Sequence, residues 1–298
     1  MKEGIGTSSP NISAPFFIRD KKAGSNSGSC TADGEAILCR ITGALLEKNV
    51  LPEHAGLQDL DQMDVLHVGG THATIELIEL LKPNPNAKVL DVGSGLGGPA
   101  RWLVNATGCR VTGIDINKAY CEVGAEINRW LGFSDQIEFM HGDATNLDRF
   151  AGSTFDAAWA VHTSMMIRDK SGLYRGIANV IKPGGRLVLY DPILGLEGFS
   201  FYPVPWAERR SASQLVDLKE MVRSLTEAGF ELESVQDKTL EGLAHLTVEI
   251  VRRLQTVIHE PDPYYVLGES GLIQLVNVAK GLAENQLSLV YLVCHRLP

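Results

Sequence analysis

This 298-residue chain has no apolar run approaching the roughly 18 residues that a membrane-crossing helix needs, and no secretory h-region. A soluble, cytoplasmic protein with no membrane partner is therefore expected. Cationic side chains are in short supply: 27 Lys and Arg face 36 Asp and Glu, leaving a net charge of −9. Duplex nucleic acids are held mainly by Lys and Arg on phosphates, so no nucleic-acid partner is expected. The adjacent arginines Arg209-Arg210 and Arg252-Arg253 suit solvated helix faces. Cysteine is sparse as well. Cys30, Cys39, Cys109, Cys121 and Cys294 are odd in number and form no C-x-x-C pair, so neither a disulfide framework nor a metal site is suggested.

What remains is ordinary globular material for one domain, residues 35–298, behind a leader. Residues 1–34 are rich in Gly and Ser, lack a hydrophobic period, and read as flexible. A more apolar island at 12–20 (ISAPFFIRD) suits either a mobile tail or a flap over a cleft. From Glu35, Ile37, Leu38, Ile41, Leu45 and Leu46 recur at helical spacing until Pro52.

The densest information lies at 88–98, KVLDVGSGLGG. Val89, Leu90 and Val92 form a run that a parallel strand buries on both faces. Asp91 falls at the carboxyl end of that strand, where open α/β sheets bind ligands. Gly93, Gly95, Gly97 and Gly98 lack the Cβ atoms that would keep a ligand off the backbone. The spacing Gly93-x-Gly95-x-x-Gly98 also fits a dinucleotide fingerprint, so a nicotinamide oxidoreductase stays open on the glycines alone. A pyrophosphate at the helix N-terminus, however, would be repelled by an acid two residues before the first glycine. Asp91 suits a cationic ligand instead. S-adenosylmethionine, with its sulfonium and α-ammonium and no phosphate, is one.

The string LDVGSGLGGPAR resembles the class I S-adenosylmethionine-dependent methyltransferases, in particular a small-molecule branch similar to sarcosine and dimethylglycine methyltransferases. The resemblance implies an α/β fold: a Rossmann-like, doubly wound sheet of seven strands, the last antiparallel, with a helical cap. The expected layout is cap helices at 35–82, a cofactor-binding core at 86–192, an acceptor loop at 193–210 and a helical insertion at 240–285. The insertion either caps the pocket or pairs two subunits in a homodimer. Periodicity places strands at 88–92, 109–115, 136–140, 156–161, 186–190, 230–236 and 287–294. Helices alternate with them at 118–131, 170–181, 213–228, 243–259 and 272–283, and Pro183-Gly184-Gly185 reads as a turn.

By resemblance, S-adenosyl-L-methionine is the methyl donor and leaves as S-adenosyl-L-homocysteine. Gln62, His67 and Gly70 would fold across its methionine end, and Asp91, Gly93, Ser94 and Gly95 would line the glycine turn. Asp115, twenty residues beyond the glycines, has the position of a ribose-binding carboxylate, with Ile116 beside it. Asp143 and Ala144 would face the adenine, and Ala160 would stand near the transferred methyl. After the fourth strand His162 is the candidate general base. Trp159, Tyr202 and Trp206 could offer faces to a cationic product, and Arg168 could take a substrate carboxylate. The expectation is methyl transfer to the amine nitrogen or thioether sulfur of a small zwitterion. Its main competitor, O-methylation of a small apolar natural product, predicts an apolar pocket with no carboxylate anchor. A non-catalytic nucleoside-binding module also stays open.

Overall fold

The computed structural model describes residues 31–150, 155–256 and 271–298. The chain opens with α1 (Ala32–Glu47), whose N-cap Thr31 accepts from the Gly34 N–H at 3.2 Å. Helix thus starts slightly ahead of the expected boundary at 35. The apolar island at 12–20 and Cys30 lie outside the described residues. A second helix, α2 (Leu57–Asp64), buries only two apolar residues, Leu60 and Met63, too few to announce a helix by period. It is followed by α3 (Gly70–Leu81).

The alternation of strand and helix then produces a parallel sheet, as βαβ units require. In order come β1 (Lys88–Val92), α4 (Gly98–Thr107), β2 (Arg110–Asp115), α5 (Lys118–Leu131), β3 (Ile137–His141), β4 (Phe155–Val161), α6 (Lys170–Val180) and β5 (Ile181–Leu194). The remainder is α7 (Leu218–Glu227), β6 (Phe230–Asp237), α8 (Thr239–Thr256), α9 (Gly271–Ala283) and β7 (Leu287–Arg296). The seven strands lie in the order β3-β2-β1-β4-β5-β7-β6, with β7 antiparallel to both neighbours. Strand order reverses between β1 and β4, which opens a crevice at their carboxyl ends.

Both faces of the sheet are covered. Val89 packs with Leu77 of α3, Leu103 of α4 and Leu275 of α9, whereas Leu90 and Val92 pack with Ile177 of α6 and Leu225 of α7. A separate cluster joins Ile41 and Leu45 of α1 to Leu60, Leu96 and Val123, which seats the first two helices on α5.

Two expected boundaries move. Pro183-Gly184-Gly185 lies within β5, where pairing with β4 jumps from Phe155 opposite Ile181 to Ala157 opposite Arg186. The extra residues are absorbed as an irregularity beside the ladder, as in a bulge. Helix α7 begins at Leu218 because Asp217 accepts from the Glu220 N–H at 2.8 Å and caps it there. Among the described residues no helix is long and apolar enough to cross a membrane.

One packing feature bears on the glycine motif. The Phe139 ring of β3 sits in a hole whose walls are three glycines: a Cβ on Gly97, Gly113 or Gly124 would come within 2.1, 2.6 or 2.8 Å of it. Gly97 also holds φ +83°, which a side chain resists. With the ring confined on three sides, Gly97→Ala should lower stability by about 2 to 5 kcal/mol. Urea unfolding checks it. A loss under about 1 kcal/mol would mean the ring has room to move.

Candidate functional site

The loops that follow β1, β2 and β4 build the site at the carboxyl ends of these strands. Beyond Val92, the Gly93 and Ser94 N–H groups both donate to the Ile114 carbonyl, at 2.8 and 3.2 Å, so the glycine loop folds onto the end of β2. Asp115 then anchors it: Oδ2 accepts from the Gly95 N–H and Oδ1 from the Asn117 N–H, each at 2.8 Å. The glycines differ in purpose. A Cβ on Gly93 would meet Thr163, one on Gly97 would meet Phe139, and one on Gly98 would meet the Asp64 backbone. Only at Gly95, with φ +53°, would it enter open space. Three of the four glycines serve chain packing, and Gly95 leaves the approach clear.

Above this loop is a cavity of about 160 Å³. The loop and the strand-end acids Asp91 and Asp115 form one end. His67, His162 and Met165 line it too, together with the apolar Trp206, Leu246, Leu275 and Val278.

Asp91 is the electrostatic centre. It is 3% exposed, and its Oδ2 has no hydrogen-bond partner. Burial lifts its carboxyl to about 7, the Asp115 charge adds to the rise, and the neighbouring Trp159 indole opposes it. A buried carboxylate with an unused oxygen is costly unless a cation arrives to pair with it.

The two histidines are both neutral. Burial holds His67 down to about 4. Its Nδ1–H donates to the Val68 carbonyl at 3.0 Å, which leaves Nε2 to accept from the Thr74 hydroxyl at 2.9 Å. Burial and the nearby His67 hold His162 well below its usual value. The two rings meet edge to face, with centroids 5.9 Å apart. His162 Nε2, in contrast to His67, is buried without a partner. The residue also carries φ +49°, in the left-handed region that is uncommon for residues other than glycine.

The cavity therefore gathers His67, Asp91, Gly93, Ser94, Gly95, Asp115, His162 and Trp206 from the residues singled out in the sequence. The others stand elsewhere. Gln62 is exposed on α2, and Gly70 starts α3 against the His245 ring. Ile116 is 72% exposed at the tip of β2, beside the loop of Asp143 and Ala144 after β3. The Gly142 N–H donates to the Asp115 carbonyl, which ties these two loops together, while Asp143 Oδ1 accepts from the Thr145 N–H and hydroxyl.

Three residues expected on the acceptor side and one expected on the methyl side stand away from the cavity wall. Trp159 is fully buried in the core on β4 and offers no face to a ligand, because both faces of this parallel strand are covered. Ala160, also fully buried, points into the opposite core cluster. Arg168 is exposed and is not part of the cavity wall. Tyr202 stands edge-on to Phe199 at 5.0 Å and is likewise outside the wall. Trp206 reaches the cavity with its Nε1–H donated to Ser213 Oγ at 3.1 Å.

Sequence reasoning missed Asp64 and Arg101. Arg101, with no exposed surface, donates to Asp64 Oδ2 at 2.6 Å, Asn128 Oδ1 at 2.9 Å and the Leu96 carbonyl at 2.7 Å. This knot pins α2 over the glycine loop, and Asp64 lines the cavity. Its only sequence signal is an arginine on the inward face of α4, three residues past Gly98. Among the described residues no cluster of His, Cys, Asp or Glu is placed to hold a metal ion.

Residues 90–189 match the family described as methyltransferase domain. The methyltransferase GfsG of Streptomyces halstedii is 35% identical over 136 residues, 46% of this chain and 49% of that protein. A sterol 24-C-methyltransferase of Eremothecium gossypii is 40% identical over 106 residues, 36% of this chain and 28% of that one. The chain thus spans about half the length of the first relative and less of the second. A solved structure from Galdieria sulphuraria, described as a sarcosine dimethylglycine methyltransferase, superposes with a TM-score of 0.62 at 20% identity, over 76% of this chain and 85% of that one.

Proposed function

For a chain that belongs, through residues 90–189, to the class I S-adenosylmethionine-dependent methyltransferases, we propose methyl transfer onto a hydroxyl of a small, largely apolar acceptor. The unpaired Asp91 Oδ2 and the open space at Gly95 fit the cationic methionine end of S-adenosylmethionine. Asp91 would pair with its ammonium, and His67 would stand over that end. Asp115, Ile116, Asp143 and Ala144 would border the nucleoside, with the exposed Ile116 side chain as an apolar shelf. The cofactor supplies an electrophilic methyl on a sulfonium. The chain's own residues align the acceptor, exclude water and receive a proton.

The observation that carries the acceptor class is the apolar part of the cavity lining. Val68, Val161, Met165, Met166, Pro205, Trp206, Leu246, Leu275 and Val278 make it up, and no Lys or Arg of the described residues joins them. A zwitterion's carboxylate would lose its water there without a partner, at a cost well above the roughly 2 to 7 kcal/mol of an unpaired neutral polar group. Such a wall favours the apolar acceptor over the amino-acid-like one, and Arg168 gives the latter no anchor. Besides Asp91 Oδ2 and Ser94 Oγ at the glycine loop, His162 Nε2 is the buried polar atom without a partner among the described lining residues. Because its conjugate acid is unstable when buried, the imidazole is unprotonated throughout the neutral range. With the ring proton on Nδ1, Nε2 would take the hydroxyl proton as the methyl passes from the sulfonium sulfur, left as a neutral thioether, to the acceptor oxygen.

The test is a panel of apolar phenols and alcohols, with sarcosine, dimethylglycine and methionine, given labelled S-adenosylmethionine. Label on the hydroxyl compounds is expected; label on the zwitterions alone would overturn the acceptor class. Protection by NAD rather than S-adenosylhomocysteine would overturn the cofactor. His162→Ala should slow transfer by about 10²-fold or more, as loss of a general base does. An unaltered rate would leave the ring a merely packed one.

A further inference from the structure

The segment carrying His162, Met165 and Met166 is held from behind by two buried ionisable side chains that do not line the cavity. Asp191 of β5 is fully buried, and its Oδ1 accepts from the Thr163 N–H at 2.8 Å and the Ser164 N–H at 3.2 Å. Lys170, the first residue of α6, is 6% exposed, and its Nζ donates to the carbonyls of Ser164 and Ile167, each at 2.6 Å, and of Gln214 at 2.7 Å. An ammonium has three protons to give, and all three are spoken for. Ser164 is consequently gripped at both ends, its N–H by the Asp191 carboxyl group and its carbonyl by the Lys170 ammonium.

The grip extends to both sides of the acceptor pocket. Gln214, just past the loop that carries Trp206, returns its N–H to the Met165 carbonyl at 2.9 Å. Lys170 thus ties together the segment bearing the methionines and the chain leaving the Trp206 loop. Next to Thr163, His162 keeps its positive φ while its N–H donates to the Tyr190 carbonyl at 2.7 Å and the Thr163 hydroxyl donates to the Val92 carbonyl at 3.0 Å. A strained backbone of this kind persists only where its surroundings over-determine it.

We propose that Lys170 and Asp191 are positioning residues for methyl transfer, fixing where His162 Nε2 and Met165 stand in the cavity without touching the acceptor. The inference rests on the reading of His162 as the base. It differs from a purely structural role in what it leaves alone. The Gly93 and Ser94 N–H groups hold to the Ile114 carbonyl and the Gly95 N–H to Asp115, so the glycine loop keeps its own anchors when the clamp is lost, and cofactor affinity should change far less than kcat.

The experiment uses full-length Lys170→Met, which keeps the side-chain length and removes every donor. Displacing a reacting group by about 1 Å can cost roughly 10²-fold, so kcat for the acceptor found in the panel should fall by about that factor. The Kd of S-adenosylhomocysteine should stay within about threefold, as expected for independent sites. The His162 Cε1–Hε1 NMR cross-peak, assigned by its loss in His162→Ala, should shift. Should Lys170→Met not fold, the same three readings are taken on Asp191→Asn and Asp191→Ala. Asn keeps an oxygen for Thr163 and Ser164, so it should perturb the cross-peak less than Ala. An unmoved cross-peak overturns the proposal, as does loss of S-adenosylhomocysteine binding in step with transfer. If the wild-type protein labels no acceptor, the proposed reaction fails, while the cross-peak and the binding constant still decide the clamp.

Discussion

Asp91→Asn should weaken S-adenosylhomocysteine binding by about 10²-fold or more while leaving the ligand-free chain at least as stable as wild type. The two effects share one cause. Breaking a buried charge pair by removing one partner typically costs about 3 to 5 kcal/mol, and here the protein's half of the pair is a carboxylate with an unused oxygen. Without ligand, that same carboxylate is a burden, and an isosteric amide relieves it. Calorimetric titration and thermal melts read both halves. Full affinity in Asp91→Asn would place the ligand's cation elsewhere and remove the argument from Asp91 to the cofactor.

A pH dependence follows with a definite sign. Asp91 has a folded-state value of about 7, raised from 3.8 chiefly by burial. The native ligand-free chain therefore holds a proton that the unfolded chain has released between these values. The stability contributed is full below about pH 4 and is lost as pH rises through about 7. Binding a cation needs the ionised form, so affinity should fall as pH drops below about 7, by up to about tenfold per unit. Titrations in two buffers of different ionisation enthalpy should show proton release near pH 6. No release would mean that Asp91 is already ionised before the ligand arrives.

Arg101→Ala is the second large effect, and it falls on the fold. The substitution leaves Asp64 buried and unpaired, and it strips the Leu96 carbonyl and Asn128 Oδ1 of their donor. Burial already lifts the Asp64 carboxyl to about 6 against the pull of Arg101. A loss of about 3 to 5 kcal/mol is expected. At roughly 2 to 4 °C per kcal/mol for a domain of this size, Tm should drop by about 6 to 20 °C. The double variant Asp64→Leu with Arg101→Met should recover most of the loss, since an apolar pair of similar volume often replaces a buried ion pair at no cost. A double variant as unstable as Arg101→Ala would show that packing, and not the stranded carboxylate, sets the penalty.

Particular residues show why some of this was readable in the chain and some was not. The strand 88–92 was plain because Val89, Leu90 and Val92 obey a strand's burial pattern and Gly93 ends it. Helix α5 was plain because its apolar period runs unbroken between the Asn117 cap and Gly132. Helix α2 was hidden, since Leu60 and Met63 are its only buried apolar residues and its stability comes from packing on the next helices. Trp159 misled for a different reason. An aromatic at the end of a strand is equally suited to a pocket and to a core, and only the helices covering that face make it core.

What the sequence determined by itself is the strand, the glycine turn and the acids Asp91 and Asp115 at strand ends, because each depends on spacing within a few residues. The tertiary structure alone decided which walls enclose the cavity. Leu246, Leu275 and Val278 come from helices over a hundred residues downstream of the glycine loop, Arg101 finds Asp64 across 37 residues, and Asp191 finds Thr163 across 28. Such meetings are set by how layers pack around a shared core. A local period reports which side of an element is buried, and it carries no record of what is buried against it.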